Sequence, residues 1–370
     1  MIARWTLKTL LRERVSLFAS AGGIAASLLV VMLLEGMFAG EAERIVAYVK
    51  RAGADVWVMQ GGVSNMHMAS SLMRRELARR VGSLPGVAST TPILYVSTFL
   101  TAGDHQWYSY VVGLQAGDVR GGPWAMVAGV DRPGPGEAVI PDVLARKGGL
   151  GLGDHVQMFH RRFRVVGVSS GTYSMANSIT FVSYTDLADL LSAPEAASYL
   201  LVEAAPAVSA TALAERIRGA VPEVNALTRD ALAERDTRLA MEMGVDIVRV
   251  MTWVGSLLAG LIVTFATYSA TLRRSRELGV AKALGLSNVA LCRAVLLQVA
   301  AVCTLGYAMA LALASGLRPI VQEFVPEVAL RFPPALCVRL ALATVAVAAG
   351  SALVPGWRIA RLDPATVFRA

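Results

Sequence analysis

The fold is decided by residues 271–289, which run Thr271-Leu-Arg-Arg-Ser-Arg-Glu-Leu-Gly-Val-Ala-Lys-Ala-Leu-Gly-Leu-Ser-Asn-Val. This basic stretch separates two apolar stretches that carry almost no charge. The pattern predicts a short hairpin between two membrane helices, because Lys and Arg collect in the short loops on the cytoplasmic side. The hairpin offers a helical surface that ends at Leu284-Gly285, and this favours docking into the groove of a partner over catalysis.

The composition indicates a membrane protein. The chain has 370 residues, of which 55% are hydrophobic and 17% charged, and its mean hydropathy is +0.53. These values are too apolar for a soluble globular domain. A helix that crosses a bilayer needs about 20 apolar residues, and four windows meet this requirement: 16–38, 250–272, 294–317 and 335–354. We therefore predict four transmembrane helices and a large extracytoplasmic domain, residues 40–246.

The basic residues predict the orientation of these spans. They precede the first span, fill the hairpin and follow the fourth span, whereas the loop between the third and fourth spans has balanced charge. The basic residues are Arg4, Lys8, Arg12, Arg14, Arg273, Arg274, Arg276, Lys282, Arg358, Arg361 and Arg369. We therefore predict a multi-pass protein of the cytoplasmic (inner) cell membrane with both termini in the cytoplasm. The same asymmetry explains most of the net charge of +8, so no nucleic-acid partner is predicted.

The start of the chain combines apolar and basic residues at helical spacing. Residues 1–15 are predicted to form an amphipathic helix at the cytoplasmic interface, although a plain extension of the first span explains the pattern as well. The first span is expected to be retained rather than cleaved as a signal peptide. Its apolar stretch is longer than a signal core, and no small-x-small site follows before Glu41.

The outer domain shows the same pattern at its two ends, a strand followed by a helix and a second strand. These segments are 54–59, 70–81 and 91–100 at the start, and 199–204, 210–220 and 225–228 at the end. Two such units predict an α+β domain with a split βαβ, porter-like layer made of residues 54–130 and 199–228.

The remaining parts of the outer domain differ from this layer. Residues 131–198 are rich in turn and β residues and are predicted to form a small inserted β subdomain. Its strand candidates are 138–140, 155–159, 163–168 and 179–182. Residues 229–246 are polar and favour a helix, and they predict a stalk that leads unbroken into the second span. The coupling hairpin is assigned to 273–290 and the cytoplasmic tail to 355–370.

The motifs of known active sites are absent from the sequence. There is no G-x-x-x-x-G-K-[ST], H-E-x-x-H or C-x-x-C motif, and the glycines of 149–153 precede a strand, which predicts a turn rather than a nucleotide loop. We therefore predict that the chain is not an enzyme and holds no cofactor. All three cysteines fall in or beside predicted spans, so the outer domain is expected to be stable without disulfides.

Together these segments resemble the FtsX-like or MacB-like ABC transporter permease family of the mechanotransmission type. The resemblance covers nearly the whole chain. It is most specific in Arg273–Ser287, which is similar to the cytoplasmic signature of the family, and in Pro355–Arg369, which is similar to its closing motif. Residues 136–154, followed by 163–168, are similar to the β insertion of its outer domain.

The resemblance implies a homodimer that associates with two copies of a separate ABC ATP-binding subunit. That subunit would bind ATP and Mg, and its closure would push the hairpin. The residues implied in coupling are Arg273, Arg274, Arg276, Glu277, Lys282, Leu284 and Gly285. For Glu277 a local ion pair remains an alternative, worth only a fraction of about 1 kcal/mol at an exposed site.

Glu35 is a carboxylate near the outer end of the first span. Two interpretations stay open, because ionisable groups inside a membrane are often functional but a long side chain near the boundary also reaches the interface. The first is a simple snorkelling residue. The second is a substrate contact in the outer leaflet, in which Met32 and Met37 would suit a flat or lipid-like ligand or a soft metal centre such as haem.

Met66, His67 and Met68 form the other candidate set. Thioether and imidazole groups are ligands that soft metals accept, so these residues are weak candidates for metal binding. Adjacent side chains seldom point to one centre, and Met also covers apolar surfaces. An apolar patch that contacts lipid or substrate is the alternative.

The leading hypothesis is therefore a permease for efflux, either export or extraction, of an amphiphile, lipid, peptide or haem-like molecule, with membrane lipid as a further contact. The alternative is a regulator without transport that controls an extracytoplasmic enzyme or sensor. A periplasmic adaptor is a further candidate partner. An intramembrane protease has no supporting motif.

Overall fold

The computed structural model describes residues 14–174, 178–273, 280, 282 and 286–360. The chain divides into two compact units. The membrane unit holds Val245–Val325 with the chain up to Gly40 and from Leu330, and the outer unit holds Glu41–Gly244 with Pro326–Ala329. The outer unit thus contains, in addition to most of the outer domain predicted over 40–246, the short loop Pro326–Ala329 between the last two long helices.

Three helices are long and apolar enough to cross a membrane, judged by length and composition over the described residues. These segments are Leu17–Ile45, Asn288–Phe324 and Pro334–Ser351. They lie in helices α1 (Arg14–Ile45), α8 (Asn288–Phe324) and α9 (Pro334–Ala360). The predicted second span, 250–272, falls in helix α7 (Arg229–Arg273), where only the shorter apolar stretch Trp253–Ile262 is recognised. The count of four spans stays a prediction.

The described helices extend beyond the predicted spans. Helix α1 continues past Phe38 to Ile45, because the residues that follow, apart from Gly40, are mostly good helix formers and include no proline. Helix α8 begins before residue 294 and ends only at Phe324. The proposed amphipathic helix of residues 1–15 lies almost wholly outside the described residues, and so does most of the tail 355–370.

The helices of the membrane unit pack through an apolar cluster and a close helix contact at a glycine. Buried side chains of α1, α8 and α9 form one apolar cluster: Ile24, Ala25, Leu28, Val31, Met32, Leu291, Val295, Val299, Cys303, Ala310, Ala314, Leu336, Leu340 and Ala348. Against Ile24 of this cluster, Gly306 allows a close approach of α8 to α1, since a Cβ atom there would lie 2.7 Å from Cγ2 of Ile24. Small residues favour helix association in lipid because they let backbones approach each other.

The outer unit is built on one ten-stranded mixed sheet. Its strands are β1 (Val56–Gln60), β3 (Val87–Ala102), β4 (His105–Leu114), β5 (Met126–Gly129), β6 (Glu137–Pro141), β7 (His155–Met158), β8 (Arg161–Ser169), β9 (Ile179–Ser183), β11 (Tyr199–Ala204) and β12 (Val224–Thr228). Strands β2 (Met73–Arg74) and β10 (Ala196–Ala197) form a separate small ladder. The short helices are α2 (Ala47–Arg51), α3 (Glu76–Gly82), α4 (Asp142–Gly148), α5 (Tyr184–Leu190) and α6 (Ala210–Ala220).

One half of the sheet has the antiparallel order β12-β1-β11-β3. Helix α3 lies between β1 and β3 in the chain, and helix α6 lies between β11 and β12. The split βαβ layer itself stays a prediction. The helix predicted over 70–81 differs, because it begins only at Glu76. The residues before it pair with β10 as a strand, so their backbone hydrogen bonds are made across a ladder instead.

The predicted boundary of the inserted subdomain at residue 131 does not separate two sheets. Strand β3 pairs with β11 along its first half and with β4 along its second half. Strand β4 then pairs with β9, and β5 pairs with β8, so both join strands of the segment 131–198. Long-range pairing of this kind leaves no local sequence signal, which explains the difference. The glycine-rich segment is the predicted turn, in which Gly149 closes α4 with a φ of 60° before strand β7.

Candidate functional sites

The membrane unit contains an ion pair between two of its apolar helices. Nη2 of Arg339 on α9 lies 2.5 Å from Oε2 of Glu35 on α1. Arg339 falls inside the apolar window Pro334–Ser351, where charged side chains are costly and are usually paired or functional. Glu35 is therefore an ion-pair partner of a second helix, a role that neither sequence interpretation included.

The two partners differ in exposure. The side chain of Glu35 is 14% exposed, whereas that of Arg339 is 63% exposed. The carboxylate is covered by the protein and the guanidinium is its accessible part. The exposed partner of this ion pair is therefore the cation, whereas the sequence analysis had named the carboxylate as the candidate.

The two methionines suggested as ligand contacts near Glu35 have different surroundings. Met32 is 1% exposed and belongs to the apolar cluster of α1, α8 and α9, so its thioether packs against protein. Met37 is partly exposed. The structure therefore does not bring Met32 to the same surface as Arg339.

In the outer unit, the loop of Met66, His67 and Met68 is attached to the first turns of α7. Oδ1 of Asp236 accepts a hydrogen bond from the backbone N–H of Met66 at 2.9 Å, and Oδ2 lies 3.2 Å from Nδ1 of His67. The side chain of Asp236 is completely buried. The side chain of Met66 lies in the apolar core and that of Met68 is exposed, so the two thioethers do not share a centre with the imidazole.

A cluster of aromatic side chains surrounds this carboxylate. The rings of Tyr95 and Tyr110 stack at 5.0 Å, and Tyr110 also meets the ring of His67 edge-on. Burial raises the pKa of Tyr199, and the negative charge of Asp236 raises it further. Burial likewise raises the pKa of Tyr95 well above its ordinary value. These phenols stay protonated at physiological pH and serve packing rather than proton transfer.

The loop between α8 and α9 is held by charged groups of the outer unit. Nη1 of Arg44 donates to the carbonyl oxygen of Glu327 at 2.9 Å and to that of Pro326 at 3.3 Å. The side chain of Glu327 forms an ion pair with Lys147 on α4. The loop is therefore part of the outer unit, although in the chain it lies between two helices of the membrane unit.

Comparison with known protein families identifies the chain. A model described as the MacB-like periplasmic core domain matches residues 15–220. A second model, the FtsX-like permease C-terminal region, matches residues 249–364. The chain belongs to the MacB-like and FtsX-like family of ABC transporter permeases. Membership implies an ATP-binding partner subunit.

Relatives extend this match over nearly all of the chain. An uncharacterized ABC transporter permease of Mycobacterium tuberculosis, Rv2563, is 25% identical over 366 residues, which cover 96% of this chain and 95% of the relative. The permease Mb2592 of Mycobacterium bovis matches to the same extent. A second permease of M. tuberculosis, Rv0072, is 25% identical over 363 residues.

Two solved structures are similar to part of this permease. The periplasmic region of MacB from Actinobacillus actinomycetemcomitans is 15% identical with a TM-score of 0.39, and the match covers 52% of this chain and 96% of that chain. The extracellular domain of the noncanonic ABC-type transporter YknZ from Gram-positive bacteria is 16% identical with a TM-score of 0.35, and the match covers 47% and 99%.

The proposed coupling residues of the permease fall mostly outside the described residues. This holds for Arg274, Arg276, Glu277, Leu284 and Gly285, and the side chain of Arg273 is not described either. Lys282 is described and partly exposed. The coupling role of these residues stays a prediction.

Sequence analysis did not identify two functional candidates of the permease, Arg339 and Asp236. Arg339 lies within the predicted fourth span, and a cation in an apolar window is itself a signal for a partner carboxylate. Asp236 had no such signal, because the first part of its helix, residues 229–246, is polar and only the fold buries this side chain. Among the described residues, no group of three or more His, Cys, Asp or Glu side chains could hold a metal ion.

Proposed function

We propose that this permease couples ATP hydrolysis by a separate ATP-binding subunit to the export or extraction of a hydrophobic or amphiphilic substrate at the outer side of the membrane. The observation that carries this proposal is the presence of both family regions in one chain. Residues 15–220 match the periplasmic core domain and 249–364 match the permease region.

The helix α7 supports the mechanical part of this proposal. It follows β12 directly and is one helix from Arg229 to Arg273, the first residue of the cytoplasmic hairpin. A continuous hydrogen-bonded helix transmits a displacement at one end to the other end. Asp236 attaches its first turns to the Met66 loop of the outer unit.

The assembly that we propose is a homodimer in the cytoplasmic (inner) cell membrane, with two ATP-binding subunits that bind ATP and Mg. Both termini and the hairpin 273–290 lie in the cytoplasm, as the distribution of Lys and Arg predicts. The hairpin receives the closure of the ATP-binding subunits. The spans contact lipid, and an adaptor is a further partner of the outer unit.

Reconstitution of the permease with its ATP-binding subunit tests this function. The complex is placed in proteoliposomes that contain a fluorescent amphiphile, and the release of this amphiphile to an external acceptor is measured with ATP. We expect ATP-dependent release, which a hydrolysis-deficient ATP-binding subunit abolishes. ATP hydrolysis without any release would instead favour a regulator of an extracytoplasmic enzyme or sensor.

A further inference from the structure

The side chain of Arg339 has more hydrogen-bonding capacity than the protein uses. A guanidinium carries five N–H donors. Within the described part of the chain, its acceptor is one oxygen of Glu35, and 63% of its side chain is exposed. The remaining donors therefore face the surroundings of the helix.

The position of Arg339 along α9 places these donors near one end of a membrane span. Helix α9 begins at Pro334, so Arg339 lies five residues, or about 7.5 Å, along the helix axis at 1.5 Å per residue. The loop before α9 includes Pro326–Ala329, which belongs to the outer unit. Only a few residues of chain separate this loop from Pro334, so we expect the end of α9 that carries Arg339 to be its extracytoplasmic end, as the distribution of Lys and Arg predicts.

An exposed apolar stripe follows Arg339 along the same helix. Val338, Leu342 and Val345 are all large, apolar and exposed. They are spaced at i, i+4 and i+7, which places them on one face of a helix, and Leu342 lies three residues after Arg339. The surface thus presents a cation at its outer end and an apolar strip toward the centre of the span.

The pairing with Glu35 determines the charge of the ligand that this surface fits. A cationic ligand would have to displace Arg339 from a carboxylate that is only 14% exposed. An anionic ligand meets the free donors of the guanidinium without breaking the existing ion pair. The planar fork of an arginine suits the paired oxygens of phosphate and carboxylate groups.

We propose that Arg339, held in position by Glu35, binds the anionic head group of an amphiphile whose apolar chain lies along Val338, Leu342 and Val345. A phosphate-type head group in the leaflet on the side of the outer domain has this chemistry. The inference rests on the proposed function and names its substrate class. Glu35 is then a positioning residue and Arg339 is the contact.

Binding to the purified permease tests the site without any transport step. The probes are phosphatidylglycerol and diacylglycerol with identical acyl chains, of which only the first carries a phosphate, and inorganic phosphate as a competitor without a chain. Native mass spectrometry measures each affinity. We expect the wild type to bind phosphatidylglycerol about tenfold more tightly, the factor expected for one charge-assisted hydrogen bond. Inorganic phosphate should compete only weakly.

Matched variants distinguish the site from general attraction to positive charge. Arg339→Gln should remove the preference for phosphatidylglycerol, whereas Arg318→Gln, which removes another exposed cation of the membrane unit, should keep it. The double variant Glu35→Arg/Arg339→Glu retains the pair and the total charge but moves the cation to the covered position. We expect it to lose the preference while its thermal stability stays close to that of the wild type.

Each contrary outcome has a definite meaning. Equal affinities of the wild type for both lipids, or a retained preference in the double variant, would overturn the site and leave the proposed transport untouched. Equally tight binding of inorganic phosphate would overturn the amphiphile as the ligand. A clear lipid preference in a complex that never releases its lipid with ATP would retain the site and overturn the transport function.

Discussion

His67 Nδ1 lies 3.2 Å from Oδ2 of Asp236, and this contact attaches a loop of the outer domain to the first turns of helix α7. The same carboxylate accepts the backbone N–H of Met66 through its other oxygen. A single buried side chain thus connects a surface loop to the helix that continues to Arg273, where the predicted hairpin begins. The loop and the start of this helix are therefore expected to move as one piece.

The first prediction concerns the stability provided by Asp236. Asp236→Ala leaves the buried N–H of Met66 without its acceptor, and we expect the free energy of unfolding to fall by about 1–3 kcal/mol. Asp236→Asn keeps an acceptor oxygen and should cost less. Thermal unfolding of the detergent-solubilised permease measures both changes. The control is Glu234→Ala on the same helix, an exposed residue with one ion pair to Arg238. An equal loss in this control would show that Asp236 contributes nothing specific.

A second prediction concerns the packing of α8 against α1. A Cβ atom on Gly306 would lie 2.7 Å from Cγ2 of Ile24 and 3.0 Å from the carbonyl oxygen of Ala21. Gly306→Ala should therefore destabilise the permease by about 1–3 kcal/mol through overpacking. Gly316 on the same helix has nothing within 4 Å of the corresponding position. Gly316→Ala should be neutral or slightly stabilising in the same unfolding assay, and equal effects at both glycines would contradict the helix contact.

The third prediction concerns topology. Single cysteines at Ser287 and Ser170, introduced into a variant without the three native cysteines, should react with a membrane-impermeant maleimide from opposite sides. Ser170 should label in intact cells, whereas Ser287 should label only after the membrane is opened, because the basic hairpin is predicted to lie in the cytoplasm. Labelling of both positions from the same side would rule out the predicted orientation.

The fourth prediction concerns coupling to the ATP-binding subunit. Glu277→Arg reverses a charge of the hairpin, and Gly285→Trp places a bulky side chain at its end. We expect both variants to reach the membrane but to lose most of the ATP hydrolysis that the permease stimulates in its partner. Leu296→Ala, an exposed apolar change six residues after the hairpin, serves as the control. Full stimulation in both hairpin variants would place the interface elsewhere.

The sequence by itself determined the family, the apolar windows that become α1, α8 and α9, and most strands of the outer domain. These features follow from local pattern, since a run of apolar residues or a strand-like alternation is visible within a few residues. The hairpin motif and the closing motif carried the family assignment, which the matches over 15–220 and 249–364 confirmed. The strand candidates of 131–198 were correct for the same reason.

Only the tertiary structure decided which of these elements meet. The pairing of β4 with β9 joins residues about 70 positions apart, and Glu35 meets Arg339 across 304 positions. No periodicity in the sequence records such contacts, because they arise from the packing of whole elements. The same holds for Asp236, which lies on the polar first part of a helix and is buried against the Met66 loop. Charged residues were therefore visible in the sequence, but the accessible charge of each pair was decided by the fold.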